Sequence, residues 1–101
     1  MDRSLPLVSI DVVRQTVLDA LADEDVRVLF FGSRARGDAR RTSDLDVALQ
    51  PRRALRPGVL AALRERLEDL RIPYTVDLVL LDEVSGAFRD LVAAEGIPWR
   101  S

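Results

Sequence analysis

Apolar positions along the chain change period several times, and each change marks an element. From about Ser9 to Asp23, Ile10, Val13, Val17 and Leu21 recur at helical spacing. Ser9 is an expected N-cap, with Asp11 suitably placed in the first turn. The acidic triplet Asp23-Glu24-Asp25 ends this helix. Val26 to Phe31 is a short, almost unbroken apolar run with the length of a strand buried on both faces. Gly32 stops it, and residues Ser33 to Thr42 form a turn, with a helical turn beginning near Ser33.

Asp44 to Leu49 alternates strictly. Asp44, Asp46 and Ala48 stand against Leu45, Val47 and Leu49. As a strand it points both carboxylates to one face; as a helix it would set them about 200° apart. Pro51 to Pro57 reads as a loop. Leu60, Leu63, Leu67 and Leu70 then mark one face of a second helix, which should close near Arg71 because Pro73 drives Ile72 towards an extended conformation. Tyr74 to Leu81 is a third strand. Asp77 shares a face with Thr75, Val79 and Leu81, a costly setting for a buried carboxylate without a partner or metal. Ser85 caps a last helix that carries Phe88, Leu91 and Val92 and stops at Gly96. Ile97-Pro98-Trp99 is a tail expected to dock on the core.

The pattern predicts a single domain over residues 1–101, of the α/β (α+β) class, in the order α-β-β-α-β-α. The turn after the first strand makes strands one and two antiparallel. The helical crossover makes strands two and three parallel if they are neighbours. That arrangement brings Asp77 towards Asp44 and Asp46.

Composition narrows the chemistry. The chain has 101 residues, a formal charge of −2, and no Cys or His. Thiol catalysis, Cys-based zinc sites, a Ser-His-Asp triad and a histidine base are therefore excluded. All 15 basic residues are Arg. Without Lys there is no Walker-A loop and no lysine Schiff base. Carboxylates, Arg, hydroxyls, backbone amides and a carboxylate-bound metal remain, an inventory suited to phosphoryl or nucleotidyl transfer. The net charge offers no general field for nucleic acid, and no direct nucleic-acid binding is expected. No apolar run is long enough to cross a bilayer, and the N-terminus lacks the pattern of a signal peptide. The expected compartment is the cytoplasm.

Taken singly, the candidate residues have plain readings. Gly32-Ser33 is an ordinary turn, Asp44 and Asp46 a solvated strand face, and Asp77 an edge position open to water. Arg40, Arg41, Arg52 and Arg53 read as a solvated loop, and Phe88 and Trp99 as packing. Together they form a site. Gly32 lets a ligand approach the backbone closely. Ser33 offers an amide and a hydroxyl to an anion, and Arg34 or Arg36 can fork onto phosphate. Asp44 and Asp46 can hold Mg²⁺. Asp77 can complete a second metal site or accept a proton from an attacking hydroxyl.

Gly32-Ser33, ten intervening residues and Asp44-Leu45-Asp46 match the GS-x10-D-x-D signature. The chain thereby resembles the DNA polymerase β-like nucleotidyltransferases. The GSRARG hexad, the SDLDVAL strand, the carboxylate in TVDLVLL and the ending AAEGIPW resemble their minimal nucleotidyltransferase (MNT) group. The resemblance implies a polymerase β-like fold, a small mixed sheet with helices packed on it. It implies Mg²⁺-dependent transfer of AMP from ATP to a hydroxyl, with two ions bound by Asp44, Asp46 and Asp77 as the catalytic carboxylates. Carried over by position, Gly32 and Ser33 would contact the phosphates; Arg34, Arg36 and Ser43 stand beside them as candidates for binding the nucleotide and its phosphates. It also implies a helical HEPN-type toxin as partner in a hetero-oligomer, neutralised by adenylylation. Two other functions stand beside that one: a small-molecule nucleotidyltransferase, and a non-catalytic antitoxin that acts by binding its partner.

Overall fold

The computed structural model describes residues 5–32, 45–72 and 75–100, with only the backbone described for residues 5–9. The described residues form three helices and four strands: α1 (Leu5–Ala20), β1 (Val26–Phe31), β2 (Leu45–Pro51), α2 (Val59–Glu68), β3 (Val76–Leu80), α3 (Gly86–Glu95) and β4 (Ile97–Arg100). A short 3₁₀ turn, Leu81–Glu83, links β3 to α3. The sheet order is β3-β2-β1-β4. β1 pairs antiparallel with β2, and β2 parallel with β3, as the order of elements predicted.

The sheet separates two cores. Val26, Val28 and Phe30 of β1, with Leu45, Val47 and Leu49 of β2, pack against Val13, Val17 and Leu21 at α1 and against Leu63 and Leu67 of α2. Leu29 and Ala48 pack on the other face with Leu81 and with Val92 of α3. The alternation of β2 thus resolves as expected, its aliphatic positions under α1 and α2 and its other positions under α3. The almost unbroken apolar run of β1 follows from helices on both faces.

Several expectations are corrected. α1 begins at Leu5, not after Ser9, and Pro6 sits in its first turn, where a missing N–H breaks no helical bond. Ser9 is therefore inside the helix and not its cap. α2 starts at Val59, after Gly58, and closes at Glu68 rather than near Arg71; Asp69 is its C-cap. β2 extends to Pro51, paired with Val26, where a proline at the strand end interrupts little of the ladder. β3 is shorter than expected, ending at Leu80 before the 3₁₀ turn. Leu91 is 50% exposed and lies outside the core, although Ser85 does cap α3, its Oγ accepting the N–H of Phe88 at 3.3 Å.

The tail does more than dock. Residues 97–100 form β4, antiparallel to β1. Trp99 stacks on Phe30 with ring centroids 5.2 Å apart. Arg100 donates to the carbonyl of Leu21 at 2.6 Å, tying the tail to the end of α1.

Candidate functional site

Strand register places the described site residues. Phe31 of β1 is the partner of Asp46 on β2, and Asp46 is the partner of Asp77 on β3. These three residues form one row across the sheet. Register partners share a face, and this is the face that α3 covers lower down. Adjacent strands lie about 4.8 Å apart, so the two carboxylates occupy neighbouring positions where β1 ends and β2 and β3 begin. Phe31 closes the row on the β1 side, its ring meeting Phe88 of α3 edge-on at 5.8 Å.

Gly32 follows directly. Its φ is +87°, a conformation that L side chains rarely adopt, and a Cβ there would overlap Oδ2 of Asp46. The glycine that ends β1 thus leaves the space that the Asp46 carboxylate fills. A local sequence feature, a strand-stopping glycine, is also a steric requirement of a residue on the next strand.

Asp46 is partly buried and Asp77 exposed. The expectation that Asp77 pays a burial cost inside an apolar strand is corrected. β3 is an edge strand, and Asp77 reaches solvent, as its plain reading supposed. Asp44, Ser33, Arg34, Arg36 and Ser43 lie outside the described residues, as do Arg40 and Arg41. Among the described residues, no group of three carboxylates could hold a metal ion. Asp46 and Asp77 do supply hard oxygen donors in adjacent register, a donor type that fits Mg²⁺.

Sequence reasoning missed two features. Phe31 stands in the row with the carboxylates, a position that only register reveals. In the sequence Glu24 reads as part of an acidic helix end, yet its side chain is 4% exposed. It accepts from Nε of Arg56 at 2.6 Å and from the Arg56 backbone N–H at 3.2 Å. These hydrogen bonds hold the Glu24 carboxyl below its ordinary value of 4.5, against the opposing effect of desolvation. The same pairing raises the Arg56 guanidinium. Arg52, expected as a solvated loop residue, is half exposed but donates to Asp25 at 3.1 Å. The loop after β2 is thereby pinned to the segment before β1, and the only sequence signal was opposite charge at a separation of about thirty residues.

Comparison with known proteins agrees with this architecture. The family model described as "Polymerase beta, Nucleotidyltransferase" matches residues 16–98. The Haemophilus influenzae protein named "Probable protein adenylyltransferase MntA" is 33% identical over 78 residues, covering 77% of this chain and 68% of that protein. A solved structure of a minimal nucleotidyltransferase superposes with a TM-score of 0.73 at 33% identity, covering 91% of this chain and 94% of the other. A toxin–antitoxin crystal structure with AMP-PNP shares the fold, with a TM-score of 0.65 at 24% identity over 87% of this chain and 73% of that one. No helix among the described residues is long and apolar enough to cross a membrane. With the mixed sheet, its helices and a family match across most of its length, the chain belongs to the minimal nucleotidyltransferases of the polymerase β family.

Proposed function

We propose that this nucleotidyltransferase transfers AMP from ATP to a hydroxyl on a partner protein, and that it serves as the antitoxin of a HEPN-type helical toxin in the cytoplasm. The observation that carries the reading is the row formed by Asp46 and Asp77 in adjacent register, with Gly32 shaped around the Asp46 carboxylate. Two relatives bear on the acceptor: one is named a protein adenylyltransferase, and a fold neighbour is a toxin–antitoxin complex with AMP-PNP.

In this mechanism Asp44, Asp46 and Asp77 would hold Mg²⁺, two ions in all. When bound, Mg²⁺ supplies neutralising charge for the triphosphate. Gly32, Ser33, Arg34, Arg36 and Ser43 receive the phosphates and the nucleotide. The acceptor hydroxyl attacks the α-phosphorus, and the bond from that phosphorus to the β-phosphate bridging oxygen breaks. Pyrophosphate leaves, and the Asp77 carboxylate takes the hydroxyl proton. The residues 1–101 act as one nucleotidyltransferase domain and depend on the partner for the acceptor.

The test is incubation of the chain with Mg²⁺, ATP and the protein encoded beside it, read by intact mass. Addition of one or more AMP groups, lost with Asp46→Asn, is the expected result. Neutralisation of the partner that persists unmodified in that variant would establish action by binding instead.

A further inference from the structure

β3 is the last strand on its side of the sheet, and among the described residues nothing pairs with its outer edge. One hydrogen bond fixes which main-chain groups face that edge. The N–H of Leu45 donates to the carbonyl of Thr75 at 2.9 Å, and Leu45 is the register partner of Val76. In a parallel ladder a residue bonds to the two residues flanking its partner. Thr75, Asp77 and Val79 therefore turn their main-chain groups towards β2, and Val76 and Leu78 turn theirs outward. The segment VDLVL carries no Pro, and its one charged side chain is Asp77.

A cleft of about 400 Å³ adjoins this edge on the α2 side. Leu67, Leu70, Val76 and Leu78 supply its apolar lining, Arg64 and Glu68 its charged wall, and Asp77 borders it. Side-chain alternation then determines how an added strand would sit. A residue opposite Asp77 would point to the face of Asp46 and Asp77. Its two neighbours would point to the other face, into the cleft.

We infer that the acceptor is an extended peptide segment that adds to the outer edge of β3, with a hydroxyl residue opposite Asp77 and an apolar residue on each side of it. The inference rests on the nucleotidyl-transfer reading above and names the form in which the acceptor arrives. The main-chain groups of Val76 and Leu78 give affinity without regard to sequence, and the cleft selects the flanking side chains. In the reaction the hydroxyl oxygen of that segment bonds to the α-phosphorus of ATP. The bond between that phosphorus and the bridging oxygen to the β-phosphate breaks, and pyrophosphate leaves. The hydroxyl proton passes to the Asp77 carboxylate and then to water.

The probe is a library of nine-residue peptides with a fixed central Tyr or Ser and random flanks, incubated with the chain, Mg²⁺ and ATP. Modified peptides should be enriched in Val, Ile or Leu at the two positions beside the hydroxyl residue. The best peptide, added without nucleotide, should slow amide exchange at Val76 and Leu78 by about tenfold. Modification with no flanking preference, or protection confined to other segments, overturns edge docking. If no peptide is modified or protects the edge while the partner protein still receives AMP, edge docking fails and nucleotidyl transfer stands. If the peptide protects Val76 and Leu78 but neither it nor the partner is modified, docking stands and the transfer reading fails.

Discussion

A Cβ on Gly32 would occupy the space of Oδ2 of Asp46. Gly32→Ala must therefore displace the carboxylate as well as strain a backbone at φ +87°. The left-handed conformation alone costs a non-glycine residue about 1–2 kcal/mol. Urea denaturation should show a loss of that order. AMP transfer should fall further, by about 100-fold, as expected when a reacting group is misplaced by about an ångström.

Asp77→Asn separates chemistry from stability. Asp77 is exposed on an edge strand, so its substitution should change unfolding free energy by less than about 0.5 kcal/mol. If it accepts the proton, AMP transfer should drop by at least about 100-fold. Parallel urea melts and timed labelling of the partner check both halves of the statement.

The Glu24–Arg56 pair predicts a pH dependence. The folded state holds the Glu24 carboxyl below 4.5, so its ionised form favours folding. The stabilisation is complete above 4.5 and is lost as pH falls through the depressed folded value. Glu24→Gln should lower the urea midpoint at pH 7. The gap between variant and wild type should narrow as the pH is taken below 4.5, and a gap that stays constant would refute the linkage.

Trp99→Ala should destabilise the fold by about 2 kcal/mol, at or below the low end for aromatic truncations because Trp99 is only partly buried. The loss has a local signature. β4 rests on β1 through the Phe30–Trp99 stack and on the end of α1 through the Arg100–Leu21 bond. Amide exchange should therefore rise first in residues 97–100, ahead of β2.

How much of this was legible in the sequence depended on the range of the cause. β1 is legible residue for residue, since five apolar positions in a run of six, between an acidic run and a glycine, leave little choice. The parallel crossover and the meeting of Asp46 with Asp77 followed from element order and the handedness of connections. Helix ends were less legible. Ser9 has the chemistry of a cap, but Pro6 upstream offers an equally good start and the helix uses it. β4 was hidden because four residues, Ile97-Pro98-Trp99-Arg100, have no periodicity of their own and become a strand only by pairing with β1. Glu24 was hidden for the same reason: nothing near it in sequence tells that Arg56 will cover it. The exposure of Asp77 depended on which strand lies at the edge, a property of the whole sheet.

The direction of β4 has a practical consequence for anyone handling this protein. β4 runs antiparallel to β1, so the chain passes Phe30, beside the carboxylate row, at Ile97 and reaches Val28 at Arg100. Anything attached beyond Arg100 would set out away from Asp46 and Asp77. An affinity tag or fluorophore attached there would leave Asp46, Asp77 and the β3 edge accessible, so the proposed nucleotide, peptide and partner can be offered to immobilised protein without obstruction from its own anchor.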